Sequence, residues 1–364
     1  MVDKLENGKA RRAKELLLRE FNPKSHLVTK ATEVLKPRFP LIDAHNHLAE
    51  PFGGGWDKKP LDQLLDVLDQ VDVRHYVDLD GGWGEDVFYT HLRKIKQPAP
   101  DRFSVFCGID WTKWPEMGDD FPGWVAKKLV EYKKDGADGL KVWKNFGLHQ
   151  KDHLGNLVDV DDPRLSEVWE QAGELGLPVL IHVADPVAFF DPVDERNERW
   201  EELQKHPDWM FTSPPFPSFD HILEGLAHLV EAHPMTTFIG AHVGCYAENL
   251  AWVGDLLDRC PNFYVDFAAR IPEIGRQPFA ARKFFIDYSD RIVFGLDMGP
   301  HLGAYRVYFR FLETDDEYFN YNPDPDAAPD SGRWMIYGLN LPDEVLKNVY
   351  HRNAERVLGI QIKK

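Results

Sequence analysis

The chain has 364 residues, with 43 Lys and Arg against 60 Asp and Glu, and a net charge of −17 at pH 7. This acidic balance argues against a protein that binds nucleic acid or docks on anionic membranes, because both functions need a basic face. A chain of this length buries a sizeable apolar core without disulfides. Its three cysteines, Cys107, Cys245 and Cys260, are widely spaced and predict neither a disulfide framework nor a CxxC metal site.

The first twenty residues, MVDKLENGKARRAKELLLRE, are charged and lack the continuous apolar stretch of a signal peptide. Their spacing predicts a surface helix, and we expect a helical extension over residues 1–37 ahead of a barrel domain at residues 38–364. No apolar run in the chain approaches the ~20 residues of a membrane helix. We therefore expect a cytoplasmic protein, unless a leader peptide has been removed.

Short β-rich runs alternate with helical patterns along the rest of the chain. Eight strands are predicted: Phe39–His45, Val73–Leu79, Phe103–Ile109, Gly139–Val142, Pro178–His182, Thr236–His242, Phe263–Phe267 and Arg291–Leu296. The helical patterns are Leu61–Gln70, Glu85–Lys96, Pro122–Lys134, Pro163–Leu175, Phe219–His233, Glu248–Cys260, Pro278–Tyr288 and, last, Pro342–Tyr350. This order implies parallel strands joined by right-handed crossovers, and so a (β/α)₈ barrel. The alternative is an open doubly wound sheet, which would carry a glycine fingerprint that the first strand lacks.

Two connections are too long for simple turns, namely residues 184–217 after the fifth strand and residues 298–341 after the eighth. Both leave the carboxyl ends of strands, where barrel active sites form. We expect them to act as lids or pocket walls, the alternative being extra packing over the barrel mouth. Their many aromatic side chains favour a ring or sugar-like substrate over a small polar one.

Residues able to bind metal follow four of the predicted strands. In the sequence DAHNH, His45 and His47 are two residues apart on the first strand and so project to the same face. The fifth, sixth and eighth strands end in His182, His242 and Asp297. Strand ends do not need such residues for folding, and leaving them buried without partners is costly. Imidazole and carboxylate together suit Zn²⁺ or a similar divalent ion, so this set predicts a metal centre.

The sequence resembles the amidohydrolase superfamily over roughly residues 38–360. The resemblance rests on DAHNH, on His182 and His242, on the GLD that ends at Asp297, and on the closing NAERVLG at 353–359. The sequence is most similar to the amidohydrolase-related branch that includes aminocarboxymuconate-semialdehyde decarboxylase-like proteins. The resemblance implies that one divalent metal, Zn²⁺ ahead of Mn²⁺, is bound by His45, His47, His182 and Asp297. It also implies that Asp297 acts as a base and that His242 acts as an acid or base beside the metal.

Lys141, in GADGLKVWKNFG near the end of the fourth strand, has two interpretations under this resemblance. In binuclear members of the superfamily, a lysine here is carbamylated and bridges two metals. In a mononuclear site, Lys141 would instead bind substrate or pair with an acid. The mononuclear arrangement is the favoured prediction.

Three further residues are candidates for substrate binding. Arg270 and Arg276 follow the seventh strand, and an arginine at a barrel mouth suits a carboxylate because its fork is bidentate. The alternative for each arginine is a surface ion pair. Trp83, in DGGWGED after the second strand, is a candidate pocket wall.

The predicted function is hydrolysis of an ester, lactone or amide by a water that the metal activates. The alternative is a metal-dependent decarboxylase acting on a carboxylated ring or an unsaturated acid, which the release of CO₂ would distinguish. A catalytically silent barrel is disfavoured because the ligand set is intact. The expected partner is a small-molecule substrate, and a homo-oligomer is expected only by similarity to the branch.

Overall fold

The computed structural model describes residues 17–21, 23–50 and 52–362. Eight strands form its sheet, and each pairs in parallel with the next along the chain. They are β1 (Leu41–Asn46), β2 (Val73–Gly81), β3 (Phe103–Cys107), β4 (Gly139–Val142), β5 (Val179–Ile181), β6 (Phe238–Gly240), β7 (Phe263–Asp266) and β8 (Ile292–Val293). All eight predicted strands are therefore present, although most are shorter than predicted.

The sheet closes on itself where the segment after β8 returns to β1. The backbone N–H of Ala44 donates to Phe294 O (2.9 Å), and that of Asp297 donates to His45 O (2.7 Å). These bonds complete a nearly continuous barrel, and the predicted (β/α)₈ fold is confirmed. They also bring Asp297 directly beside the histidine motif of β1.

Helices connect the strands in the predicted order. The longer ones are Leu61–Gln70, Glu85–His91, Phe121–Asp135, Ser166–Glu174, Phe219–Ala232, Leu250–Arg259, Pro278–Asp287 and Leu302–Glu313, and the chain ends with Asp343–Lys347 and Asn353–Leu358. Shorter helical segments include Trp56–Lys58, Trp114–Met117, Trp200–Lys205, Pro207–Trp209 and Ile271–Ile274. Side chains of Asp162, Ser218 and Asn249 cap helix starts by accepting backbone N–H bonds, which explains where those helices begin.

Alternation along the strands separates two buried layers. In β5, Val179 and Ile181 belong to the large cluster between sheet and helices, whereas Leu180 belongs to a smaller cluster with residues of β1, β2, β3, β6 and β8. His182 is two residues after Leu180 and so faces the same side of the sheet, and Lys141 on β4 is paired with Leu180. The pleat therefore turns both polar side chains toward the barrel interior, above its apolar filling.

The helical extension predicted for residues 1–37 is wrong for the part that the structure describes. Residues 1–16, which hold most of the predicted helix, lie outside the described residues. Leu18–Glu20 forms a single turn, and residues 23–37 are irregular. Pro37, at the end of this stretch, disfavours a helix that continues through it. The stretch is fixed instead by side chains: Lys30 Nζ lies 2.5 Å from Asp315 Oδ1, and Thr32 bonds Asp316.

The two long connections differ in structure. Residues 298–341 include the helix Leu302–Glu313, and residues 184–217 hold only short helical turns. Phe189 and Trp209 from the first connection and Ser331 from the second line a cavity at the barrel mouth, so both form pocket walls, as predicted. Within the described ranges, no helix is both long and apolar enough to cross a membrane.

Candidate active site

His45 and His47 are each held by a buried carboxylate behind the ring. The Nδ1–H of His45 donates to Asp266 Oδ2 (2.8 Å), and that of His47 donates to Asp80 Oδ1 (2.7 Å). Each ring then directs its Nε2 toward Asp297 Oδ1, at 3.2 Å in both cases. A carboxylate that fixes the tautomer and orientation of a histidine in this way is typical of metal ligands.

Asp80 and Asp266 are themselves fixed by backbone groups. Asp80 Oδ2 accepts from the N–H groups of Leu48 (2.6 Å) and Ala49 (2.7 Å). Asp266 Oδ1 accepts from those of His242 (2.9 Å) and Ala268 (3.0 Å). Neither acid is among the site residues predicted from the sequence. A signal was available, because Asp80 and Asp266 also close apolar strands, in VDLD and YVD.

His242 and Asp297 adopt left-handed backbone conformations, with φ of 59° and 65°. Such conformations cost of order 1–3 kcal/mol each for a residue with a side chain, and they concentrate at functional sites. The Nδ1–H of His242 donates to Ala268 O (2.8 Å), which leaves Nε2 free to face Asp297 Oδ2 at 3.8 Å. One potential ligand atom each from His45, His242 and Asp297 lie within 4.8 Å of one another.

His182 stands at the edge of this group and does not belong to its most compact part. Its ring centroid lies 4.4 Å from that of His242, and its Nε2 lies 3.4 Å from Asp185 Oδ1. Within the described chain, the buried Nε2 atoms of His47 and His182 make no hydrogen bond of good geometry, although each has a carboxylate oxygen within 3.4 Å.

A divalent metal ion fits these residues. A buried nitrogen without a well-formed hydrogen bond is costly, and coordination would satisfy both of these imidazole atoms. Imidazole nitrogens with one carboxylate form a donor set suited to Zn²⁺ or Mn²⁺. We therefore retain His45, His47, His182 and Asp297 as the candidate ligands, with His242 close enough to join them.

The electrostatics of the cluster favour a cation. Burial acts to raise the pKa of Asp297, but His45 and His47 hold it well below its usual range. Burial acts to lower the pKa of His47, yet Asp297 and Asp80 raise it to about 9. Burial lowers the pKa of His182 to about 4, against the opposing effect of Asp185. An ionised carboxylate thus faces nitrogens that would bind either a proton or a metal.

Lys141 lies inside the barrel beside this cluster. Its Nζ is 3.3 Å from His45 Nε2 and 4.7 Å from the centre of the Trp143 ring. Burial lowers the pKa of Lys141 to about 8, although Asp297 and Asp266 oppose the shift. An amine that is partly neutral near physiological pH suits both interpretations of Lys141, as a carbamylated bridge or as a substrate ligand.

A cavity of about 240 Å³ opens above the cluster. His182, His242 and Asp297 form part of its wall. Its aromatic lining is Phe52, Trp143, Phe189 and Trp209, and its charged lining is Lys144, Asp185, Arg199, Glu202 and Arg270. Three of these residues, Asp185, Arg199 and Glu202, lie in the connection after β5 and are not among the site residues predicted from the sequence. Their convergence depends on the path of that loop, which no residue spacing reveals.

The three residues proposed for substrate binding are placed differently. Arg270 lines the cavity and is largely buried. Arg276 does not line it: its guanidinium binds Glu198 in a bidentate pair (2.7 and 2.9 Å) and covers the Trp334 ring. The surface ion pair that was the alternative for Arg276 is therefore what the structure has. Trp83 is half-exposed at the rim and does not line the cavity itself. It stacks on two residues that do, with its ring centre 4.0 Å from that of Trp143 and 6.0 Å from that of Phe52.

The barrel and its histidine–aspartate cluster define a metal-dependent barrel enzyme. Residues 112–360 match the family model described as Amidohydrolase, a range that includes His182, His242 and Asp297. The chain belongs to this amidohydrolase family. No curated protein sequence matches the chain.

Solved structures with a similar fold share little sequence with the chain. A 2,6-dihydroxybenzoate decarboxylase from Rhizobium is 14% identical, with a TM-score of 0.52 over 88% of this chain and 98% of its own. A dihydroxybenzoic acid decarboxylase from a Polaromonas species, with bound manganese and the inhibitor 2-nitroresorcinol, is 14% identical, with a TM-score of 0.52 over 88% and 97%. A putative amidohydrolase from Staphylococcus aureus is 14% identical, with a TM-score of 0.51 over 89% and 100%.

Proposed function

We propose that the protein is a metal-dependent decarboxylase that removes CO₂ from a carboxylate on an aromatic ring. The main observation in support is that one cavity is lined by candidate metal ligands, four aromatic side chains and the buried Arg270. A volume of about 240 Å³ accommodates a single substituted ring. Flat aromatic walls hold such a ring by stacking, and a buried arginine favours a substrate that is an acid.

His45, His47, His182 and Asp297 would hold one divalent ion, with zinc and manganese both suited to the donors. When bound, the ion supplies positive charge that polarises the oxygen substituents of the substrate. Lys141 Nζ, which is next to His45, adds a second positive group on the inner side of the cluster when it is protonated.

The reaction breaks the bond between the ring carbon and the carboxyl carbon. CO₂ leaves, and the ring carbon receives a proton in place of the carboxyl group. Asp297 and His242 line the cavity and are the candidate carriers of that proton. The Nδ1–H of His242 is bound to Ala268 O, so its Nε2 is the atom that can accept and pass on a proton toward Asp297.

The solved structures named above favour decarboxylation over hydrolysis, because two of the three are decarboxylases of a hydroxylated benzoic acid.

The test is release of CO₂ from a panel of hydroxylated benzoic acids by the enzyme loaded with either Mn²⁺ or Zn²⁺. The Asp297→Asn variant is expected to lose about a hundredfold or more in kcat. The matched control is Asp290→Asn, which changes an acid on the connection before β8, away from the cavity. If all these acids are left intact while esters or lactones are cleaved, the decarboxylase proposal is wrong.

Hydrolysis of an ester, lactone or amide is the second candidate function. It is favoured by the position of Asp297, whose carboxylate lines the cavity 3.2 Å from the Nε2 atoms of His45 and His47 and can accept a hydrogen bond from an attacking water there. The same panel, extended with lactones and aryl esters, separates the two functions by product.

A further inference from the structure

One corner of the cavity wall contains two cations and one anion. The ammonium of Lys144 contacts Asp185 Oδ2, and Arg270 Nη2 lies 3.7 Å from Asp185 Oδ1. Lys144, Asp185 and Arg270 all line the cavity. We call this group the cationic corner. These three side chains together carry one net positive charge, and Glu202, which also lines the cavity, interacts electrostatically with Arg270.

Arg270 is the underpaired member of the cationic corner. Within the described residues, its guanidinium makes one hydrogen bond, from Nη1 to the carbonyl oxygen of Ala269 (3.0 Å). Its closest carboxylate, that of Asp185, is beyond hydrogen-bond distance. The side chain is only 10% exposed, so little water compensates it. A buried guanidinium in this state favours the binding of an anion.

The other arginine of the cavity is already neutralised. Arg199 Nη1 donates to Glu202 Oε2 (2.8 Å), and Nη2 contacts Glu273 Oε1. Two carboxylates thus share one guanidinium, and this side of the cavity has no positive charge to spare. An acidic group of a ligand is therefore drawn to the cationic corner and not to Arg199.

We propose that the substrate carries two acidic groups, one placed at the candidate metal ligands and the second bound by Lys144 and Arg270. This inference rests on the proposed function for the first acidic group, and it adds a second anion site with its own residues. The substrate class is then an aromatic ring with a retained acidic substituent in addition to the carboxylate that is lost. Lys144 and Arg270 become residues that determine specificity.

The test measures binding and does not require turnover. Isophthalate and its monomethyl ester have nearly the same shape, but the second has one charge fewer. Calorimetry on the Mn²⁺-loaded enzyme is expected to show that isophthalate binds about tenfold tighter or better, since it gains charge-assisted hydrogen bonds. Lys144→Met and Arg270→Met are expected to remove most of this preference.

Two further variants separate recognition from folding. Lys144→Arg keeps the charge and is expected to keep the preference for isophthalate. Arg333→Met removes an arginine bound to Glu201 outside the cavity, and it is also expected to keep the preference. Thermal unfolding of every variant checks that the folded state is retained.

An equal affinity of the wild type for the two ligands would overturn the inference, and so would a preference that survives both methionine variants. A preference that depends on Lys144 and Arg270, without CO₂ release from any acid, would support the second anion site and overturn the decarboxylase proposal. CO₂ release without a preference for isophthalate would support the decarboxylase proposal and overturn the second anion site.

Discussion

Asp266 holds His45 from behind through a 2.8 Å hydrogen bond between Asp266 Oδ2 and His45 Nδ1. The other carboxylate oxygen of Asp266 accepts the backbone N–H of His242, so one buried acid positions both histidines. His45 is therefore positioned by an acid whose two carboxylate oxygens are both occupied by hydrogen bonds to other groups.

Replacing this acid is expected to weaken metal binding. Asp266→Asn removes the charge behind His45, and we expect the metal affinity to fall by about 10- to 100-fold, as for other residues that orient ligands. The measurement is competition with a chelator, followed by metal analysis. Asp255→Asn, an exposed acid on the helix Leu250–Arg259, is the matched control. Equal affinities of both variants would contradict the role of Asp266.

The number of bound metals distinguishes the two interpretations of Lys141. Protein purified without added metal is expected to hold about one equivalent of a divalent ion, which the His45→Ala/His47→Ala double variant loses. Metal analysis by mass spectrometry is the measurement. Two equivalents, with a mass increase of Lys141 that corresponds to carbamylation, would instead establish a binuclear site. No metal, even after reconstitution, would refute the proposed chemistry.

Arg276 is expected to contribute to stability and not to catalysis. Its guanidinium is part of an ion pair with Glu198 outside the cavity. We expect Arg276→Met to lower the free energy of unfolding by about 1 kcal/mol or less, as for other exposed pairs. KM for an accepted substrate should stay within about twofold, whereas Arg270→Met should raise it about tenfold or more. Steady-state kinetics on both variants is the measurement. A large rise in KM for Arg276→Met would show that the pair opens to substrate.

His75 is expected to make the fold sensitive to acid. It is buried on β2, with Nδ1 3.1 Å from Asp101 O and Nε2 2.9 Å from Ser104 Oγ. Burial lowers the pKa of His75 below its usual 6.5. As the pH falls below that value, the unfolded chain binds a proton that the folded chain excludes. The free energy of unfolding then decreases, by up to about 1.4 kcal/mol per pH unit from this group. Above that pH, the stabilisation from neutral His75 is fully present.

Urea unfolding at about pH 7.5 and pH 5.5 checks the sign. The His75→Gln variant, although less stable at neutral pH because of altered packing, should lose less stability between the two pH values than the wild type. An identical loss in the two proteins would show that His75 remains neutral in both states or titrates in both.

The barrel was predictable because its strands are buried on both faces and therefore appear as apolar runs such as PVLIH and RIVFGLD. The strand ends were less accurate: the sixth strand was predicted to reach His242, but the left-handed backbone there ends β6 at Gly240.

The candidate metal ligands could be predicted because they stand at the ends of apolar strands, a position that can be read from the sequence. Asp185 and Glu202 contact the cavity through loop geometry, which local spacing does not encode. The irregular path of residues 23–37 could not be predicted from local sequence, because the acids that bind this stretch, Asp315 and Asp316, are far away along the chain.

The candidate metal ligands and their supporting acids are carried by strand ends, whereas Lys144, Asp185, Arg199, Glu202 and Arg270 are carried by the connections after β4, β5 and β7. The residues that fix the chemistry are thus carried by different segments of the chain from those that select the molecule. Redesign of Lys144, Arg270 and the segment 184–217 would change which acids enter while leaving His45, His47 and Asp297 in place. A library confined to these loop positions is therefore a direct route to new substrates.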